Sequence, residues 1–342
     1  MIDMEVKSLE SGFRKRRLEW LLITISFFFL SLFFSYLLLT RGDKVYSLNE
    51  ALRGCLGKTG TGADFVMQNI RLPRLLAGIL AGWSFGMAGN AFQTMLRNPL
   101  ASPDIIGVTT GSAIAAVFCI LVLGQSGEFV SFFSVVSGLV VAAFLYFISS
   151  RSGFSAGRLI LIGIGVQAFG RAIISFLLLR AAQYDLLQVM RWMSGSLNST
   201  SMEDVVRMLF LTIPFSLLLL LFSRHLQLLE LGRDMATGLG VDPSRSQFFI
   251  MIFSVALLAF ATAVTGPIAC VSFLAGPISM QLVKRRSSLS AGLLGVLLVL
   301  SADFISQNFL PARYPVGVVT GILGAPYLLY LIFKMNQKGL GN

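Results

Sequence analysis

An all-α, polytopic integral membrane protein is the fold class this sequence predicts, and three observations predict it. Of its 342 residues, 55% are hydrophobic and 13% are charged, about half of the roughly 25% charge of a globular domain. The mean hydropathy is +0.80. The apolar residues gather in long runs: 248–283 carries no charge at all, long enough to cross a bilayer core of about 30 Å almost twice at 1.5 Å per residue. The longest hydrophilic stretches are 41–64, 184–204 and 223–246. The chain therefore reads as one transmembrane domain over 1–342, with a short cytoplasmic segment 1–17, a loop at 223–246 and no room for an ATP-hydrolysing module.

About ten spans are expected, at 18–40, 66–92, 105–124, 129–149, 158–181, 204–222, 246–265, 267–283, 289–306 and 315–333. The first follows Arg14-Lys15-Arg16-Arg17 and reads as a retained span. Its apolar run is too long for a signal-peptide core, and Leu38-Leu39-Thr40-Arg41 offers no small-residue cleavage site. The second carries Gly78, Gly82, Gly86 and Asn90 at four-residue spacing; Gly107, Gly111 and Ala115 repeat the pattern in the third, and Gly317 and Gly321 in the last. Such ladders let helix backbones approach closely, and both tight packing and the lining of a gate fit them.

The fifth span contains Arg171. An arginine at mid-membrane costs about 2.5–3.5 kcal/mol on insertion scales, so it should face protein or water. Gly163, Gln167, Arg171 and Ser175 fall on one helical stripe. Two readings stand: the stripe lines a wet passage favouring an anionic cargo, or Arg171 caps carbonyls or pairs with Asp303. Asp303, in the ninth span with Gln307 four residues on, fits an ion pair with arginines outside. Proton coupling is the alternative, and a single carboxylate without relay partners supports it poorly.

With a cytoplasmic N-terminus, 16 of the 27 basic residues fall inside and 10 outside, with Arg171 in a span. The bias agrees with the positive-inside rule and an even span count puts both termini in the cytoplasm, but the outer arginines need their own explanation. The net charge of +11 is spread over short loops, which argues against nucleic acid. In the 223–246 loop, Leu228, Leu231, Met235 and Leu239 recur at helical spacing, with Glu230, Asp234, Gly232 and Gly240 among them. A short amphipathic helix there must bury its apolar face on the membrane or in a partner's groove. No catalytic, cofactor or metal constellation emerges. Gly57-Lys58-Thr59 lacks the glycine that a phosphate loop needs at Leu52. Cys55, Cys119 and Cys270 are far apart, His225 reads as solvated, and the Asn198-Ser199-Thr200 sequon is uninformative.

Taken together, Ile70-Arg71-Leu72-Pro73-Arg74, Gln93 to Ala101, Leu229 to Gly240, Gly266-Pro267-Ile268, Ala302-Asp303, Pro315 to Thr320 and Gly324-Ala325-Pro326 resemble the FecCD-like permeases. These are the membrane subunits of type II, binding-protein-dependent ABC importers for ferric siderophores, haem and vitamin B12. The resemblance covers essentially the whole chain. Ser102 to Gly107, Arg158 to Gly165 and Gly195 to Asn198 look most like the ferric-catecholate, enterobactin-type branch.

The resemblance implies ten helices per subunit in a bacterial cytoplasmic membrane and two permease subunits around a central pathway. It also implies two cytoplasmic ATPase subunits, an extracytoplasmic substrate-binding protein and a ferric-siderophore cargo. Haem and vitamin B12 remain alternatives within the family, and an ion-coupled secondary transporter is the alternative class. By resemblance Arg71 and Arg74, with Arg313 near a further arginine site, receive the binding protein. Leu228 to Gly240 then couples to the ATPase, through Leu228, Glu230, Leu231, Gly232, Asp234, Met235, Leu239 and Gly240. The chain departs from the family at Cys270 (usually Phe), at Pro277-Ile278 (usually Pro-His or Pro-Gln), at Gln281 (often Arg) and at Gln307 (Arg in relatives). The variation at Ile278 is similar to that in one half of heterodimeric permeases, so a different homologous partner is favoured and a homodimer stays open.

Overall fold

The structure, a computed structural model, describes residues 2–104, 106–151, 154–198 and 200–339, with side chains at position 12 and within 14–334. Ile105 of the Ser102–Gly107 run and Ser199 of the sequon lie outside the described residues.

Every apolar run becomes a helix. α1 (Ile2–Thr40) spans 39 residues and ends before Gly42, whose φ of 145° turns the chain. Two short helices fold the following loop: α2 (Leu48–Cys55), closed by a Ser47–Glu50 capping box, and α3 (Gly62–Val66), capped by Thr61. A π-helical turn, Met67–Arg71, leads into α4 (Leu72–Met95). Pro73 explains this wide turn: it has no N–H to donate to the turn before it, and the Leu72 N–H reaches back five residues to the Met67 carbonyl.

There follow α5 (Val108–Leu121), α6 (Glu128–Ser150), α7 (Ala156–Leu178), α8 (Gln183–Met193) and α9 (Met202–Leu221). Then come α10 (Ser223–Glu230), α11 (Arg233–Gly238), α12 (Pro243–Thr265), α13 (Val271–Val283), α14 (Ser288–Asn308) and α15 (Val316–Gly339). Among the described residues, eight apolar helices are long enough to cross a membrane; α5 and α13, at 14 and 13 residues, are shorter. Each rises only about 20 Å, and non-helical chain precedes each. That irregular backbone is tolerated where protein covers it: Ser102, Ile106 and Ile268 are all buried.

α4 is the axis of the molecule, packed by α12, α13 and α14. Its glycine ladder provides that packing. A Cβ at Gly82 would lie 2.6 Å from the Gly295 carbonyl oxygen, and one at Gly86 would run into the Ala291 carbonyl. The ladder ends at Asn90, whose amide donates to Ser288 Oγ at 3.1 Å. α1 covers the outside of α14, with Trp20 Nε1 donating to Ser290 Oγ at 3.0 Å.

Polar contacts sort the connections onto two ends. One end gathers the start of α1, Arg97, Phe154, α10, α11 and the 284–287 turn, through contacts such as Arg286–Glu230 at 2.7 Å and Lys284–Glu19 at 3.5 Å. The opposite end gathers 41–71, α8 and the 309–315 turn.

Candidate functional site

At this opposite end, helix starts and helix ends bring the outer arginines together, and the structure gives them different tasks. Arg71, at the end of the π turn, donates from Nη1 to the Leu39 carbonyl and from Nη2 to the Lys44 carbonyl, each at 2.6 Å. Its guanidinium lies 5.0 Å from the centre of the Tyr46 ring. It thereby pins the α1–α2 loop to α4. Arg74 is turned inward. Its Nη2 sits 2.6 Å from Asp303 Oδ1 and its Nε 2.9 Å from Oδ2, with the two side chains only 13% and 1% exposed. Its Nη1 donates to Asn198, and Gln307 donates to Asp303 Oδ2 at 2.8 Å.

Asp303 therefore pairs with Arg74 and not with Arg171, and its oxygens are occupied by four donated hydrogen bonds. Arg313 differs from both. It is 56% exposed on its side chain, paired with Asp43, which is 82% exposed. The hydrogen bond and charge of Arg313 hold the Asp43 carboxyl below its ordinary 3.8. Beside Arg313 opens a cleft of about 930 Å³ whose walls include Glu128, Arg191, Asn198, Glu203 and Asp204.

In α7 the predicted stripe divides. Gly163 is buried against Ile106, and Gln167 Nε2 donates to the Asp104 carbonyl at 3.4 Å, so this half packs on the turn before α5. Arg171 and Ser175 remain exposed on the far side. Arg171 has no hydrogen bond or ion pair among the described residues. It stands seven residues from Leu178, about 10 Å from the helix end.

At the end that holds the start of α1, the single amphipathic helix expected over 228–240 is two helices. Gly232, at φ 113°, separates α10 from α11, because a residue with a Cβ is strained there. Leu228 packs inward against the core. Leu231, Met235 and Leu239 are 58%, 59% and 56% exposed, forming an apolar ridge on the outside of the elbow. Glu230 is held by Arg286, while Asp234 and Gly240 are exposed. His225 is not freely solvated: its ring lies 4.8 Å from the Phe222 ring centre, and its Nδ1 is buried without a partner.

The profile of the FecCD transport family matches residues 24–334. The chain belongs to the FecCD transport family. Against the ferric enterobactin transport system permease protein FepG of Escherichia coli (strain K12), it is 34% identical over 303 residues, covering 88% of this chain and 92% of that protein. Against the iron(3+)-hydroxamate import system permease protein FhuG of Bacillus subtilis (strain 168), it is 33% identical over 294 residues, covering 81% and 86%. A solved chain assigned to the metal-chelate type of ABC transporter, in an inward-facing conformation, superposes with a TM-score of 0.81 at 26% identity. That match covers 91% of this chain and 99% of the other.

Within this FecCD member, two residues escaped the sequence reading. Asn198 was part of a motif but not linked to Arg74, 124 residues away. Asp104 lies within the Ser102–Gly107 motif, where a lone carboxylate in the apolar run 99–108 is the available signal. It accepts a hydrogen bond from Ser272 at the start of α13.

Proposed function

We propose that this chain is one permease subunit of an ATP-driven importer that carries a ferric siderophore across the bacterial cytoplasmic membrane, with ATP hydrolysis in separate subunits. The observation that carries the pathway reading is Arg171. An exposed arginine in an apolar helix, facing lipid, would cost about 2.5–3.5 kcal/mol. A water-filled passage or a second subunit over that face of α7 removes the cost. A fixed positive charge in such a passage favours an anionic cargo such as a ferric catecholate over the uncharged vitamin B12. Rocking of two subunits about their interface would alternate access to it.

The end with α10 and α11 is then cytoplasmic, as are both termini. The ridge Leu231, Met235 and Leu239 meets the ATPase subunits, with Glu230, Gly232, Asp234 and Gly240 shaping the elbow and Leu228 anchoring it. On the outer end Arg313, exposed beside the cleft, takes the acidic side chains of the substrate-binding protein, where charge pairing guides docking and rate. Arg71 and Arg74 set the shape of that surface from below. The non-family residue Ile278 favours a homologous but different permease partner. The ion-coupled alternative loses its candidate carboxylate, since Asp303 is fully engaged by Arg74 and Gln307.

The test is uptake of labelled ferric catecholate, against haem and cobalamin, in a strain lacking the gene and complemented with the wild type or with Arg171→Leu at equal expression. Loss of uptake with the variant is expected. Retained uptake removes Arg171 from the pathway, and uptake of haem or cobalamin instead overturns the cargo.

A further inference from the structure

The start of α1 and the turn after α13 build a basic cavity that the transport reading leaves without a task. It encloses about 530 Å³, and Lys15, Arg16, Glu19, Lys284 and Arg285 line it, with Gly12 at its edge. Four cations and one carboxylate thus converge from segments more than 260 residues apart in sequence. Retention of basic loops on one side of a membrane requires only their charge; it does not require them to share a cavity.

Two of the cations are held in place. Lys284 closes α13 in the left-handed conformation, φ 58°, and its Nζ lies 3.5 Å from Glu19 Oε2. The Arg285 guanidinium lies 4.9 Å from the centre of the Trp20 ring, and that ring is itself fixed by its hydrogen bond to Ser290. Stacking of this kind presents the planar donor fork ready for an oxyanion. Among the described residues, Lys15, Arg16 and Arg285 have no ion-pair partner. Among the described residues, a Cβ at Gly12 would meet nothing within 4 Å, which leaves that side of the cavity open.

What lies beneath the cavity indicates the ligand. Leu18 and Leu22, three and seven residues after Lys15, share its helix face and are each 57% exposed, with Ile25 at 41%. One face of α1 therefore passes from cations to membrane-facing aliphatic side chains within about a turn, beside a tryptophan of the kind enriched at membrane–water boundaries. A charged head above two hydrocarbon chains has the same profile. Basic pockets between membrane helices bind the headgroups of anionic lipids on this principle.

We propose that this cavity binds the phosphate headgroup of an anionic phospholipid. Lys15, Arg16 and Arg285 are the phosphate ligands, Glu19 holds Lys284 at the rim, and the acyl chains run along Leu18, Leu22 and Ile25. The lipid would fix the angle between α1 and the α13–α14 turn.

Native mass spectrometry of the purified full-length permease tests this, with titrations of cardiolipin, phosphatidylglycerol, phosphatidylcholine and inorganic phosphate. The two anionic lipids should be retained, phosphatidylcholine should not be, and inorganic phosphate should not displace them. With each basic residue near an anionic headgroup contributing about a factor of five, the double variant Lys15→Gln, Arg285→Gln should weaken anionic-lipid binding about 25-fold. The charge-matched Arg151→Gln, Arg224→Gln control should leave it unchanged. Equal loss in both pairs would reduce the site to bulk charge. Equal retention of phosphatidylcholine, or displacement by inorganic phosphate, would overturn the lipid assignment. Unchanged lipid affinity with loss of ATPase co-purification would make the cavity a protein contact instead. If the double variant does not fold, the wild-type comparison of anionic lipid, phosphatidylcholine and phosphate decides the question.

Discussion

Replacing Asp303 by Asn leaves the Arg74 guanidinium buried without its counter-charge. The pair is bidentate, with N–O separations of 2.6 and 2.9 Å and side-chain exposures of 13% and 1%, so solvent can do little to compensate. Removing one partner of such a pair costs about 3–5 kcal/mol. Exchanging both for apolar residues of similar volume, as in Arg74→Met with Asp303→Leu, is often close to neutral. Here it also frees Asn198 and Gln307, so a residual loss of about 1 kcal/mol is expected. At roughly 2–4 °C per kcal/mol, the unfolding midpoint of Asp303→Asn in detergent should fall by about 6–20 °C, and that of the double variant by only a few degrees. The four-member cycle measures the coupling. An Asp303→Asn midpoint equal to wild type, or a double variant that loses the sum of both singles, would refute the buried-pair reasoning.

Gly86→Leu should abolish folding or lower the midpoint strongly, because its side chain has the Ala291 carbonyl in its way; overpacking costs about 1–3 kcal/mol even where neighbours can shift, and a normal midpoint would contradict the α4–α14 contact. Arg71→Met removes two charge-assisted hydrogen bonds to carbonyls. It should make trypsin cleavage at the exposed Arg53 and Lys58 several-fold faster, and an unchanged rate would show that Arg71 does not hold the loop. In a binding-protein-stimulated uptake assay, Arg313→Glu should lower stimulation with little change in midpoint, since the residue is exposed; Arg71→Glu with Arg74→Glu should lower both. Unchanged stimulation with Arg313→Glu would remove it from docking.

The ten apolar segments were legible because hydropathy and length are local properties. Most of their helices match within about six residues, from α4 at 72–95 against an expected 66–92 to α14 at 288–308 against 289–306; α1 is the exception, since it starts at Ile2 and not at 18, the basic segment before the span continuing the same helix. The glycine ladder was legible as a spacing, and contact with α14 decided in favour of packing. Less of the candidate site could be read. The 228–240 segment has a helical period throughout, but Gly232 bends it into two helices and turns Leu228 inward. The α7 stripe has one period and two fates, because α5 and its preceding turn cover only the Gly163–Gln167 half.

Sequence by itself determined that this is a membrane-spanning helical chain, how many apolar segments it has and which family motifs they carry. Each of those follows from composition and order along a short stretch. Only the tertiary structure decided which charge answers which. Arg74 and Asp303 stand 229 residues apart, and Asp303 meets Arg74 and not Arg171 because the glycines of α4 let α14 lie close enough to align the two ends. Two arginines that look alike within one four-residue motif thus become a loop pin and half of a buried pair. Packing at a distance sets that difference, and no local pattern encodes it.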